Sequence, residues 1–527
     1  MSLGDLADRH LASDRAVQPA LRWLGRDGRR RDFTYAELSA LSDRLAGHLR
    51  QAGVGPGDTI GVMTGRHPET VIAALALWKL GAVFCPLFAD LGPDLLLARL
   101  ALAKTKMLLV GDEAYRGALA PLRGKLDFLT EILFLGDHPP AGCRSLSEMI
   151  FGADAPKAPI QPCAEAGLLH FTSGTTAPLS RGAGQPRAIY HDQRVESRLV
   201  AGGRSALALK PGDMLWCTGE PGWVLHSSFG LIVPLALGAT ILMDEAPPTP
   251  ARCLAVLEEE PVAVWYTSPT IIRGLMGAGL ARARSGRCGA LRLVVSAGEP
   301  LSADAVEWGR QALGVPFRDS WWQTETGGIV LAHPPEQPPC PGSMGRPLDG
   351  VTVRLVQRSG DALNFLPDQG EAVGEIALLA KDLAPWRALG GERGAPCEDV
   401  AGWHLTHDIA RRDQQGNYFF LGRADEVINL AGRMVGPFEI EAVLMGHPAV
   451  AEIGVVGAPD PEKHQHLVAF VALNPGFEAV DALRDELRRF AVDHLGAGLA
   501  PDDIRFQHHL PRTSSGKIIR RRLKAML

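Results

Sequence analysis

Short apolar runs separated by helix-patterned stretches restrict the fold of this chain more than any other feature. Thr59-Ile60-Gly61-Val62-Met63, Ala82-Val83-Phe84-Cys85, Met107-Leu108-Leu109-Val110 and Thr240-Ile241-Leu242-Met243 are apolar at almost every position. Val262 to Tyr266 and Leu291 to Ser296 follow the same pattern, and Trp216-Cys217 closes another such run. Runs this short, with no polar alternation, read as strands buried on both faces. The intervening stretches read as helices. Thr34-Tyr35-Ala36-Glu37 is a capping box, in which Thr34 and Glu37 each satisfy an orphan backbone donor. Leu38, Leu41, Leu45 and Leu49 then keep helical spacing until Gly53 and the turn Pro56-Gly57-Asp58. Further helices are expected from Pro68 to Leu80 and from Gly230 to Leu237. Strands alternating with helices predict an α/β fold built on parallel sheets.

The pattern changes along the chain. Ala153 to Pro162 reads as a connector, Gly342 to Gly374 as short strands of a small β subdomain, and Ala384 to Gly402 as an irregular surface loop. After Arg423 a compact last domain is expected. It would hold a helix at Pro437–Met445, strands at Ile453–Val456 and Leu467–Leu473, and a helix from Ala479. The expected domains are 1–424 and 425–527.

At 527 residues the chain is long enough for more than one domain and a large core. A net charge of −5 gives no overall pull toward nucleic acid or an anionic membrane. The basic tail Arg520-Arg521-Arg522 with Lys524 reads as a solvated helix face. The eight cysteines are scattered without a CxxC pair, which argues against a zinc site or a disulfide framework and suits a reducing cytoplasm. Met1 to Arg15 is charged and unlike a signal peptide. No uncharged apolar run reaches the ~18 residues of a membrane span.

Chemistry concentrates in four polar stretches. Thr172-Ser173-Gly174-Thr175-Thr176 follows the apolar run Gly167 to Phe171. It offers hydroxyls and close backbone N–H groups of the kind that cradle a phosphate. The others are Asp319-Ser320-Trp321-Trp322-Gln323-Thr324-Glu325-Thr326-Gly327-Gly328, then Thr406-His407-Asp408 with Gly422-Arg423-Ala424-Asp425, and Ser514-Ser515-Gly516-Lys517. Ser268, Gly298-Glu299-Pro300 and Gln323-Thr324-Glu325 lie just past strand-like runs, where ligands gather in α/β sheets.

In this order and at these separations the stretches resemble the adenylate-forming enzymes, and the Trp-Trp-Gln-Thr-Glu-Thr-Gly block resembles acetyl-CoA synthetase most. The resemblance spans nearly the whole chain. It implies a large N-terminal domain with two mostly parallel, helix-flanked sheets and a small β subdomain, followed by a small mobile α+β domain. It also implies an AMP-forming acyl-CoA synthetase using ATP, Mg²⁺ and coenzyme A on a short-chain carboxylic acid such as acetate or propionate. Thr172 to Thr176 would hold phosphates, Thr324 would touch the α-phosphate and Glu325 would hold Mg²⁺. Asp319, Ser320, Trp321 and Gln323 would line the nucleotide and acyl pockets, and Gly298-Glu299-Pro300 would lie along the adenosine. Asp408 and Arg423 would take the ribose hydroxyls. Lys517 would reach the α-phosphate during adenylation, and Asp425 would be the hinge that withdraws it. A lysine acetyltransferase and deacetylase acting on Lys517 join the expected partners, because acetylation removes its charge.

The chain departs from the family pattern in three places. An apparent insertion spans 177–185, and Arg187 stands for the usual lysine after it. Arg433 lies beside the position where acetyl-CoA synthetases carry an arginine, now Met434. In the acyl pocket, Trp223-Val224-Leu225-His226 has Leu and His for the usual Thr and Gly, and Ala297 replaces a valine. The Trp322 indole would close that pocket to long chains. Three alternatives remain: a stand-alone adenylation enzyme loading a carrier protein, a luciferase-like oxidase, and a nucleotide-binding protein with impaired turnover.

Overall fold

The inner parallel strands of this chain form where apolar runs leave no polar face, so each must be covered on both sides. The computed structural model describes residues 2–152, 166–172, 187–279, 288–359, 362–389, 399–424, 426–430, 433–460, 464–496, 498–512 and 518–527. Ser173, Gly174, Thr175, Thr176, Asp425 and Lys517, the connector at 153–162, the insertion at 177–185 and the side chain of Arg433 lie outside the described residues.

The chain divides into two units. The first holds 1–339, 347–351 and 380–399, and the second holds 340–346, 352–379 and 400–527. The first unit opens with strands β1 (Pro19–Leu24) and β2 (Arg30–Thr34), then helix α1 (Tyr35–Gln51). The capping box is formed, with Thr34 and Glu37 each bonded to the other's backbone N–H. Next come β3 (Thr59–Met63), helix α2 (Pro68–Lys79), β4 (Val83–Pro86), helix α3 (Pro93–Leu102), β5 (Met107–Gly111), β6 (Glu131–Leu135) and β7 (Arg144–Ser145). After them follow β8 (Gly167–Thr172), β9 (Arg187–Asp192), β10 (Met214–Cys217), β11 (Thr240–Asp244), β12 (Val262–Thr267), β13 (Leu293–Ser296), β14 (Phe317–Trp321) and β15 (Leu331–Ala332).

Two sheets result. One runs β9-β8-β4-β3-β5-β6-β7, parallel except where β9 turns back on β8. The other runs β15-β14-β13-β12-β10-β11-β1-β2, parallel from β14 to β1 and antiparallel at both ends. The α/β fold with mostly parallel sheets is therefore as expected. Helix α2 is buried along almost its whole length and contributes Val71, Ile72, Leu75 and Trp78 to the largest core.

Two expectations need correction. The segment from Ala384 was read as irregular, yet Trp386–Leu389 is a strand antiparallel to β9. Cation–π contacts hold it there: Arg187 lies over Trp386 and Arg387 over Tyr190. The helix expected from Gly230 begins earlier. Wide π-helical turns at His226–Ile232 run directly into Val233–Leu237.

The second unit contains an antiparallel sheet ordered Ala362–Phe365, Val353–Ser359, Ala372–Leu379, Trp403–Arg412, Tyr418–Arg423. It also contains the antiparallel pair Val450–Asp460 and His464–Leu473, joined in parallel by Asp503–Gln507. Helices Pro437–Leu444 and Asp481–Leu495 cover that three-stranded sheet through Ile440, Leu444, Leu483 and Leu487. A third correction falls here. Arg520 is not on a solvated face, being only 5% exposed. Its guanidinium pairs with Glu441 at 2.7 Å and Glu426 at 3.2 Å and lies over Phe438.

Candidate active site

The first group of site residues grows from the ends of β8 and β9, where Thr172 and Arg187 are register partners. One turn of strand further back, His170 is buried and bonded to the Ser227 hydroxyl at 3.0 Å. Burial pushes its pKa down to about 3, so it is a neutral structural group.

His191, at the far end of β9, reaches the second group. Its Nε2 lies 2.7 Å from the Thr324 carbonyl, and its Nδ1 lies 3.3 Å from the Pro385 carbonyl. Burial lowers its pKa, so the ring is neutral with one proton to donate. The shorter contact takes that proton, and His191 thereby anchors the backbone of the turn after β14.

That turn is braced from within. The Thr326 hydroxyl sits between the carbonyls of Gln323 (2.9 Å) and Gly328 (2.8 Å) and accepts the Gln323 N–H at 3.2 Å. Gly327 has φ +64°, and a Cβ there would meet Ala384 at 2.7 Å, so glycine is required. Arg198 supports the outgoing strand by donating to the Ile329 carbonyl at 2.8 Å. The Thr324 hydroxyl and the Glu325 carboxylate, both half-buried, make no side-chain hydrogen bond or ion pair with the described residues. A rigid turn presenting a free hydroxyl and a free carboxylate fits a phosphate and a hard cation. Glu325 is thus suited to hold Mg²⁺. Among the described residues no cluster of three His, Cys, Asp or Glu would form an all-protein metal cage.

The Asp319 carboxylate is buried and ties this turn to the segment 298–301. It accepts the Leu301 N–H (3.1 Å), the Ser320 N–H (3.0 Å) and the Ser296 hydroxyl (3.0 Å). Burial outweighs these donors and pushes its pKa up to about 7. Glu299 is fixed by the Thr270 hydroxyl at 2.7 Å and by Arg273. Gly298 has φ +95°, and a Cβ there would sit 2.7 Å from the Trp223 ring. The room left by this glycine is therefore taken by an indole.

Among the residues expected to line the acyl pocket, Trp223, Val224 and Trp322 are half-buried, while Leu225, His226 and Ala297 are buried. His226 bonds the Gly219 carbonyl at 3.1 Å and has its pKa lowered to about 4 by burial. Its Nε2 is buried and meets no hydrogen-bond partner among the described residues. Trp322 packs edge-on against Phe229, with centroids 5.2 Å apart, and donates to the Tyr266 hydroxyl at 3.1 Å.

In the second unit, Arg423 donates to one Asp408 oxygen at 2.6 Å and to the Thr406 carbonyl at 2.9 Å. His407, between them in sequence, has φ +58°, a left-handed conformation uncommon for a non-glycine residue. Glu375 stabilises it by accepting the His407 N–H at 3.0 Å.

Sequence reasoning had passed over His191, Tyr266, Phe229 and Arg198. Tyr266 ends an apolar run and reads as a strand former, and the other three lie far in sequence from what they touch.

Comparison with known proteins gives this arrangement its class. The chain belongs to the AMP-binding enzyme family, whose model matches residues 9–383, with the AMP-binding enzyme C-terminal domain matching 439–517. Within that family it is an AMP-forming acid–CoA ligase, and such enzymes use ATP, Mg²⁺ and coenzyme A. It is 34% identical over 525 residues to acetyl-coenzyme A synthetase of Bacillus subtilis (strain 168), covering 98% of this chain and 89% of that protein. The acetyl-coenzyme A synthetase of Shewanella amazonensis (strain ATCC BAA-1098 / SB2B) is also 34% identical, over 98% of this chain and 82% of that one. Among solved structures, an anthranilate CoA ligase in complex with anthranoyl-AMP matches with TM-score 0.87 at 25% identity, covering 100% and 97% of the two chains. Acyl-CoA synthetase of Brucella canis matches with TM-score 0.73 at 28% identity, covering 100% and 94%. No helix among the described residues is long and apolar enough to cross a membrane.

Proposed function

We propose that this ligase activates a short-chain carboxylic acid, acetate, propionate or a similar small acid, to acyl-AMP and transfers the acyl group to coenzyme A. The observation that carries the reading is the Trp322 indole, held between Phe229 and the Tyr266 hydroxyl. An indole fixed at the acyl wall leaves little volume for substrate methylenes, each worth ~1–3 kcal/mol in such pockets. The identity to acetyl-coenzyme A synthetases supports the same class of acid.

The acid's carboxylate attacks the α-phosphate, pyrophosphate leaves, and the coenzyme A thiol then displaces AMP from the acyl carbon. Two anions must meet in the first step, so cations and N–H donors have to converge. Thr172 to Thr176 and Arg187 receive the phosphates, with Arg187 acting as a planar fork in place of an ammonium. Thr324 gives its hydroxyl to the α-phosphate. Glu325 would hold Mg²⁺, which would supply positive charge beside the phosphate oxygens. Gly298, Glu299, Pro300, Asp319, Ser320, Trp321 and Gln323 shape the adenosine side, while Asp408 and Arg423 take the ribose. Domain 425–527 would carry Lys517 toward the α-phosphate by turning at Asp425, and Arg433 would contribute a cofactor contact. Acetylation of Lys517 would switch adenylation off. The scattered free thiols are consistent with a cytoplasmic setting.

Lys517→Ala should abolish carboxylate-dependent ATP–pyrophosphate exchange yet spare thioester formation from supplied acyl-AMP. Equal loss of both steps would reject the role given to Lys517. A panel of acids from acetate to valerate, scored by AMP release, tests the substrate class; a preference for the longest acid would reject the short-chain reading.

A further inference from the structure

Trp322 is not held by packing alone. Its Nε1–H donates to the Tyr266 hydroxyl at 3.1 Å, and that oxygen lies 2.8 Å from Ser320 Oγ. Ser320 spends its own proton on the Ser296 carbonyl at 2.7 Å. Tyr266 must therefore donate to Ser320, which leaves its lone pairs for the indole. The direction of every bond in the chain is set. Phe229 closes the other side, edge-on to Trp322 (5.2 Å) and to Tyr266 (5.4 Å). Tyr266 and Phe229 are both 0% exposed, whereas Trp322 keeps part of its surface open. Turning the indole would break its bond to the Tyr266 hydroxyl, which is itself fully buried, and that is costly.

We propose that Tyr266 and Phe229 are positioning residues that set the acyl-length limit of this enzyme by locking the rotamer of Trp322. The inference rests on the reading of Trp322 as the acyl wall. Neither residue touches the acid; each acts through the indole.

The full-length enzyme is assayed for kcat/KM with acetate and with butyrate. Tyr266→Phe removes the acceptor without changing the ring, and should raise the butyrate-to-acetate ratio by about 3- to 10-fold, the worth of one hydrogen bond. Phe229→Leu should move it in the same direction. Trp322→Ala should raise it by more than about tenfold, and Tyr266→Phe added to Trp322→Ala should change it no further. A wild-type ratio in Tyr266→Phe overturns the inference, as does an equal rise in the Trp322→Ala background. If Tyr266→Phe does not fold, Phe229→Leu with and without Trp322→Ala runs the same cycle, and absence of coupling there overturns it. An unchanged ratio in Trp322→Ala alone rejects the acyl wall itself, and the inference with it, which separates the two failures.

Discussion

The hydroxyl chain beneath Trp322 and the arginine cluster at Arg520 each fix a segment of the chain, but with opposite kinds of bond. The first is a relay of neutral partners, Trp322 to Tyr266 to Ser320 to the Ser296 carbonyl, each joined by one bond. The second gathers ionic contacts on one guanidinium: both oxygens of Glu441, one of Glu426, and the face of Phe438. Glu441 also accepts the Val455 N–H at 2.7 Å, so one carboxylate links two helices and a strand. A neutral relay sets position with little stability at stake in any link. A buried ionic cluster puts much of the local stability into a single residue, because removing one partner strands a charge.

The largest expected effect follows from that contrast. Arg520→Met should destabilise the protein by about 3–5 kcal/mol, read as a fall in the thermal midpoint. Pairing it with Glu441→Gln, which keeps the acceptor for Val455 and removes the stranded charge, should recover much of the loss. A purely additive double variant would show that the cluster is not coupled.

A smaller loss is expected at His191, a neutral anchor like those of the Trp322 relay. His191→Ala should slow ATP–pyrophosphate exchange by about 10- to 100-fold, since the Thr324 carbonyl loses its donor. His191→Gln places an amide N–H where Nε2 stood and should recover more activity than His191→Asn. The reverse order would mean that Pro385 is the contact that matters.

A further effect is a pH dependence at Asp319, whose pKa lies at about 7 against an ordinary 3.8. The folded state binds this proton more tightly than the unfolded chain. Asp319 therefore contributes stability that is fully present below about 3.8 and is lost as pH rises through about 7. Denaturation midpoints of wild type and Asp319→Asn, compared between pH 5 and 8, should show the wild type losing ground as pH rises. A constant difference would mean that its three donors keep the carboxylate ionised throughout.

Much of the body was legible in the chain. The capping box at Thr34 and Glu37, the buried runs at β3, β5 and β12, and the polar turn after β14 each follow from local pattern. What escaped depends on three-dimensional neighbours. Three arginines in a row suggest solvent, yet Arg520 and Leu523 stand three apart on a short helix, and both are buried. An apolar leucine three residues after Arg520 was the available sign. Trp386 to Leu389 has no apolar run to mark it, and becomes a strand because β9 offers an open edge. Tyr266 could not be distinguished from a strand residue, because its partners come from two other segments.

The bond from His191 to Thr324 goes to the main chain. The scaffold thus grips this turn without engaging the Thr324 hydroxyl, the group proposed to meet the α-phosphate. Architecture and reactivity are separable at this position. Thr324→Val removes the hydroxyl and Thr324→Ser keeps it, while neither touches the His191 bond, so a loss confined to the valine variant reports on the hydroxyl and not on a displaced loop.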